Sequence, residues 1–79
     1  MDKSDAFKIR KRFGAQTLSF ASQPARPLKA SQLARLLEQA IAKFGDLPVT
    51  CDTYYANAIE HYSDDDVLNF VELLNTQET

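Results

Sequence analysis

Cys51 and His61 are the two side chains with obvious nucleophile or base character, each the single member of its type in 79 residues. Covalent catalysis needs a nucleophile held beside a base that a third group orients. No spacing in the sequence brings these two together. Cys51 therefore reads as a small core residue on the greasy face of a strand, and His61 as a surface or half-buried structural histidine. Glu60, His61, Asp64, Asp65 and Asp66 gather carboxylates around one imidazole. A calcium loop would need alternating oxygen ligands, a central glycine and a distal glutamate, and zinc would want more His or Cys. A solvated turn or a helix start is the expectation there. Gly14 and Gly45 are the two glycines, too few for a phosphate-binding loop, and neither G-x-S-x-G nor H-E-x-x-H occurs. The sequence thus leads us to expect a protein that is not an enzyme and that takes no cofactor and no metal.

Binding chemistry is better represented. All nine lysines and arginines lie at or before Lys43, where they give a balance of +6; residues 44–79 carry eight carboxylates and no cation, a balance of −8. Segregated charge speaks to partners and association rather than to reaction chemistry. The acidic half offers Asp52, Glu60, Asp64, Asp65, Asp66 and Glu72 to a partner with a basic surface, standing where phosphates would. The basic half offers Lys8, Arg10, Lys11 and Arg12, of which a strand would align Lys8, Arg10 and Arg12 for phosphate contact, with Phe7 and Phe13 placed for base stacking. That pattern matches no RNA-recognition strand motif. Tyr54, Tyr55 and Tyr62 combine large rigid area with a polar tip, as interfaces favour; in so short a chain they would equally complete the core.

These residues have to be positioned by one small domain, 6–75, with frayed ends at 1–5 and 76–79. Phe7, Ile9 and Phe13 alternate with Lys8, Arg10 and Arg12, the period of a strand with one greasy and one basic face. Lys11 breaks the row, so a bulge or an end is expected there. A second strand over 17–21 would close a hairpin with a loop of four or five residues. Pro24 and Pro27 make 22–29 a stiff connection. Leu33, Leu36, Leu37, Ala40, Ile41 and Phe44 form one apolar stripe at helical spacing. Ser31 is the expected cap, Gly45 and Pro48 the stop, and Lys43 suits the dipole. Leu47 to Tyr54 reads as a strand. Residues 55–62 fit either a strand or a helix. So does the final segment: Ser63, Asp66 and the stripe Val67, Phe70, Val71 and Leu74 favour a helix over 64–75, whereas as a strand it would be apolar on both faces. The expected fold class is α+β: an N-terminal β-hairpin, one central amphipathic helix packed on an antiparallel sheet, and a C-terminal strand, hairpin or short helix.

The run LARLLEQAIAKFGDLPVTCD, residues 33–52, resembles small proteins of phages and mobile elements, in which a leucine-rich helix runs through a G-D-L-P-V turn into a short antiparallel meander. The resemblance covers about a quarter of the chain. It implies strands at 58–62 and 67–73 joined by the acidic turn Ser63 to Asp66, and it transfers no functional residue.

A single cysteine and the lack of a secretory leader or a membrane-length apolar run lead us to expect a cytoplasmic protein with no membrane partner. The functional expectation is a small accessory protein acting by protein–protein binding through charge-polarised surfaces, in the phage setting an inhibitor of a host complex, with homodimerisation open. A nucleic-acid-binding module built on the basic strand is the alternative.

Overall fold

β1 (Phe7–Arg12) and β2 (Ala15–Phe20) form the N-terminal hairpin in a computed structural model that describes residues 6–21, 27–51 and 53–73. Phe7 opposes Phe20, Ile9 opposes Leu18, and Arg12 opposes Ala15. The strand runs straight through Lys11 without a bulge, and β2 begins earlier than the pattern suggests. The loop is therefore two residues, Phe13 and Gly14, rather than four or five. Both have positive φ, 49° and 84°. That is the backbone of a type I′ turn, whose twist matches the twist of its flanking strands.

Helix α1 (Ala30–Phe44) follows the predicted stripe. Its first turn starts one residue before Ser31, so Lys29 occupies the cap position. The Lys29 amide donates to Gln32 Oε1 (2.8 Å), and the Leu33 amide donates to the Lys29 carbonyl (2.9 Å). Gly45 closes the helix at φ 109°, its amide donating to Ile41 O. The helix lies over β2 and β4 at the centre of the sheet. Leu36 and Ala40 are fully buried there, while Leu37 and Phe44 pack at the margin. The outer members of the stripe, Leu33 and Ile41, are exposed, because a helix seated on two central strands leaves its flanks overhanging.

Three strands complete the fold: β3 (Val49–Cys51), β4 (Ala58–Tyr62) and β5 (Leu68–Val71). The segment whose local signals favour a helix over 64–75 is a strand at 68–71; residues 74 and 75 lie outside the described set. Strand pairing on both sides of β5 outweighs the capping signal of Ser63 and Asp66. Those polar residues form the β4–β5 turn instead, with the Asp65 amide donating to Tyr62 O (3.1 Å). The strand predicted over Leu47 to Tyr54 shrinks to three residues.

The five strands form one sheet in the order β1-β2-β4-β5-β3. Neighbours are antiparallel except β3 with β5, which run parallel. α1 is thus the crossover between the like-directed strands β2 and β3, with β4 and β5 inserted between them. One sheet face carries Phe7, Ile9, Leu18, Phe20, Ile59, Leu68 and Phe70 against the helix. No described helix covers the other.

Candidate protein-binding surface

Two turns meet at one end of the sheet. Ala15 opposes Tyr62, so the β1–β2 and β4–β5 turns are neighbours, and the Ser63 amide donates to Gly14 O (3.0 Å). This contact brings the basic hairpin and the acidic turn Asp64, Asp65 and Asp66 together. Chain halves of opposite charge are thereby interleaved by strand order, since β4 from the acidic half pairs with β2 from the basic half.

At the tip stands Phe13. Its side chain is 97% exposed, although the alternation of β1 predicts it among the greasy residues. The two-residue turn explains the difference: Phe13 has left the strand. It also occupies left-handed backbone, which costs a side-chain-bearing residue about 1–2 kcal/mol. Asparagine or glycine would sit there with less strain. A groove of about 320 Å³ runs beside the ring, bordered by Lys11, Gly14, Gln16 and Ser63.

Among the described residues β1 is an edge of the sheet. Lys8 and Arg10 are half-buried and share the face opposite the helix; both also engage groups within the chain. Lys11 is exposed and, by strand alternation, projects to the helix side. Arg12 is the last residue of β1. Between β1 and α1 lies a second groove, about 420 Å³, with Phe7, Ile9 and Leu18 at its base and Gln39 and Lys43 on the helix wall. Phe7 is committed to the core through its ring contact with Phe20 (centroids 4.7 Å apart), so it does not join Phe13 in a stacking platform.

The acidic candidates do not form one surface. Asp64, Asp65 and Asp66 are exposed in the β4–β5 turn. Glu72 is exposed beyond the opposite end of β5, with about 13 Å of strand between. Glu60 is half-buried in mid-sheet, in a row that runs Arg10, Thr17, Glu60, Asn69 and Thr50 across all five strands on the face opposite the helix. Thr50 Oγ1 donates to Asn69 Oδ1 in that row. Asp52 lies outside the described residues.

Cys51 is exposed on edge strand β3, not in the core, and its thiol donates to the Thr53 carbonyl (3.1 Å). His61 is half-buried and stacks on Phe44 with ring centroids 4.9 Å apart and planes 15° from parallel. β5 stands between the strands that carry them, a separation of about 10 Å across the sheet. Tyr54 is 93% exposed and Tyr55 half-exposed in the β3–β4 turn, while Tyr62 sits partly exposed beside Ala15. Asn57 is buried: its side-chain amide donates to Leu73 O (3.0 Å), and its Oδ1 accepts from the Leu73 amide (2.7 Å). Among the described residues no helix is long and apolar enough to cross a membrane, and no three His, Cys, Asp or Glu side chains are placed to hold a metal ion. No protein-family model, curated protein or solved structure matches the chain.

Proposed function

We propose that this protein is a non-enzymatic binding module that docks onto another protein through the tip and outer edge of its N-terminal hairpin. Phe13 carries the reading. A large aromatic ring held almost wholly in water, on backbone that another residue would occupy with less strain, contributes nothing to the chain's own packing. Strain of this kind concentrates at functional positions, and a ring buried at an interface is worth about 1.5–3 kcal/mol. Aromatic anchors ringed by polar groups are the usual centre of binding energy between proteins.

The charges around the ring favour a protein over other partners. Asp64, Asp65 and Asp66 border the same tip as Lys11 through the Ser63–Gly14 bond. A phosphate backbone or an anionic lipid surface approaching Phe13 would meet those carboxylates. A protein pocket with an apolar floor and a rim of mixed sign would not be repelled. The narrower role, an inhibitor of a host complex, has the resemblance of residues 33–52 to phage and mobile-element proteins as its support.

The test compares capture from native lysate by the wild-type chain, by Phe13→Asn and by the triple change Asp64→Asn, Asp65→Asn and Asp66→Asn. Specific partners held by the wild type should be lost with Phe13→Asn and weakened by the triple change. Undiminished capture by the Phe13 variant would overturn the reading. So would tight, salt-sensitive binding of single-stranded DNA, the signature of the nucleic-acid alternative.

A further inference from the structure

We infer that the apolar ledge between α1 and β3 receives a basic amphipathic helix of another protein, laid beside α1 over β5 and β3. This surface is separate from the hairpin tip and lies on the other flank of α1 from β1.

The layer above the sheet has room for one more helix. Strands lie about 4.8 Å apart, so the five span about 19 Å, whereas a helix with its side chains is about 10–12 Å across. α1 sits over β2 and β4, the second and third strands of the order. An axis over β5 and β3, the fourth and fifth, would run about 10 Å from that of α1, the usual distance between packed helices.

What the chain presents there is apolar. Leu33, Leu37 and Ile41 recur every fourth residue and form one ridge along α1. Leu33 borders a pocket of about 240 Å³ with Cys51 and Phe70, which places the ridge on the β5–β3 side. Val49 and Cys51 share the sheet face of their partners Leu68 and Phe70. Ile41 is 44% exposed and Val49 47% exposed in the folded chain, so both walls of the ledge are in water. The opposite flank of the helix offers Gln39 and Lys43 instead, a poorer match for an apolar guest.

The rim sets the charge of the guest. Glu38 lies beside the ridge, three residues before Ile41, and Asp46 lies in the connection from α1 to β3. Both are exposed, and neither forms an ion pair among the described residues. The helix cations stand elsewhere. Lys43 is on the β1 flank, and the Arg35 guanidinium donates to Ser31 O. Lys29 is about 13 Å from Glu38 along the axis. A guest with aliphatic anchors at i, i+3, i+4 and i+7 fills such a ledge, and lysines or arginines along its flank meet the two carboxylates. A second copy of this chain would bring two acidic rims together, which like charges oppose.

The probe is a synthetic peptide of about 14 residues, leucine at helical spacing with alanine and lysine elsewhere, about 21 Å long as a helix. One control carries glutamate for lysine; another keeps the composition and scrambles the leucine spacing. Cys51 is exposed on the ledge, so its labelling by a disulfide reagent reports occupancy. Saturating lysine peptide should slow that labelling at least about fivefold and move amide shifts at 33–41 and 49–51. Both controls should bind at least about tenfold more weakly at about 50 mM salt. Ile41→Ser, and separately Glu38→Gln with Asp46→Asn, should weaken binding several-fold without lowering the melting temperature. Phe13→Asn should leave it unchanged. No binding of the lysine peptide, equal binding of either control, or unprotected Cys51 would each overturn the inference. So would loss of binding with Phe13→Asn, which would put the peptide on the tip, or a dimer of the protein alone that protects Cys51. If Phe13-dependent capture persists while the peptide fails, the hairpin reading stands and the ledge falls.

Discussion

Replacing Phe13 by asparagine should make the protein more stable while removing its proposed anchor. The magnitude follows from two quantities. Phe13 is 97% exposed, so truncating its ring loses almost no buried area. Its φ of 49° lies in the left-handed region, where most residues with a β-carbon pay about 1–2 kcal/mol and asparagine less. With Gly14 following at φ 84°, the variant carries the Asn-Gly pair that type I′ turns prefer. A gain of about 0.5–1.5 kcal/mol is expected, against a total of about 3–5 kcal/mol for a domain of this size. Each 1 kcal/mol should raise Tm by about 4–8 °C. Circular dichroism melts and urea titrations of wild type, Phe13→Asn and Phe13→Ala measure it. The alanine variant removes the ring but keeps the β-carbon, so it should melt close to wild type. If Phe13→Asn melts at or below the wild-type temperature, or if Phe13→Ala is strongly destabilised, the ring packs on its own chain and the anchor argument fails.

Three further outcomes are expected. Gly14→Ala should cost about 1 kcal/mol from backbone strain alone, since nothing lies within 4 Å of the added β-carbon; an unchanged urea midpoint would show the turn to be different. Asn57→Ala should cost about 1–3 kcal/mol by leaving the backbone groups of Leu73 without their side-chain partner, and hydrogen exchange at the Leu73 amide should accelerate more than at Ile59. Leu36→Ala removes a fully buried side chain at the centre of the helix–sheet contact; a loss of about 2–5 kcal/mol would leave much of the population unfolded at 25 °C, visible as a flattened thermal transition.

The exposed thiol adds a correction with a direct readout: Cys51 should react with a disulfide reagent in the native state at a rate near that of the unfolded chain. A core cysteine would react only on unfolding. Its greasy-face position in β3 was legible, but a side chain is buried only when another layer covers it. The helix lies over β2 and β4, leaving this edge in water.

What the sequence determined by itself is local. The hydrophobic stripe from Leu33 to Phe44 and the stop at Gly45 specify the helix because a 3.6-residue period and a chain break are written into adjacent residues. The alternation of Phe7 and Ile9 with Lys8 and Arg10 specifies β1 in the same way, with its basic face. Tertiary structure decided what depends on distant partners. The tail from Leu68 to Val71 is a strand because β4 and β3 bond to it on both sides, overriding a capping pattern that points to a helix. Strand order interleaved the two charged halves and put Asp64, Asp65 and Asp66 beside the basic hairpin, where linear spacing had kept them some fifty residues apart. The same pairing register shortened the first loop to two residues and took Phe13 off the greasy face of the strand into an exposed turn. Local propensity fixes what a segment prefers; only the assembled sheet fixes which neighbours it meets and which side chains stay in water.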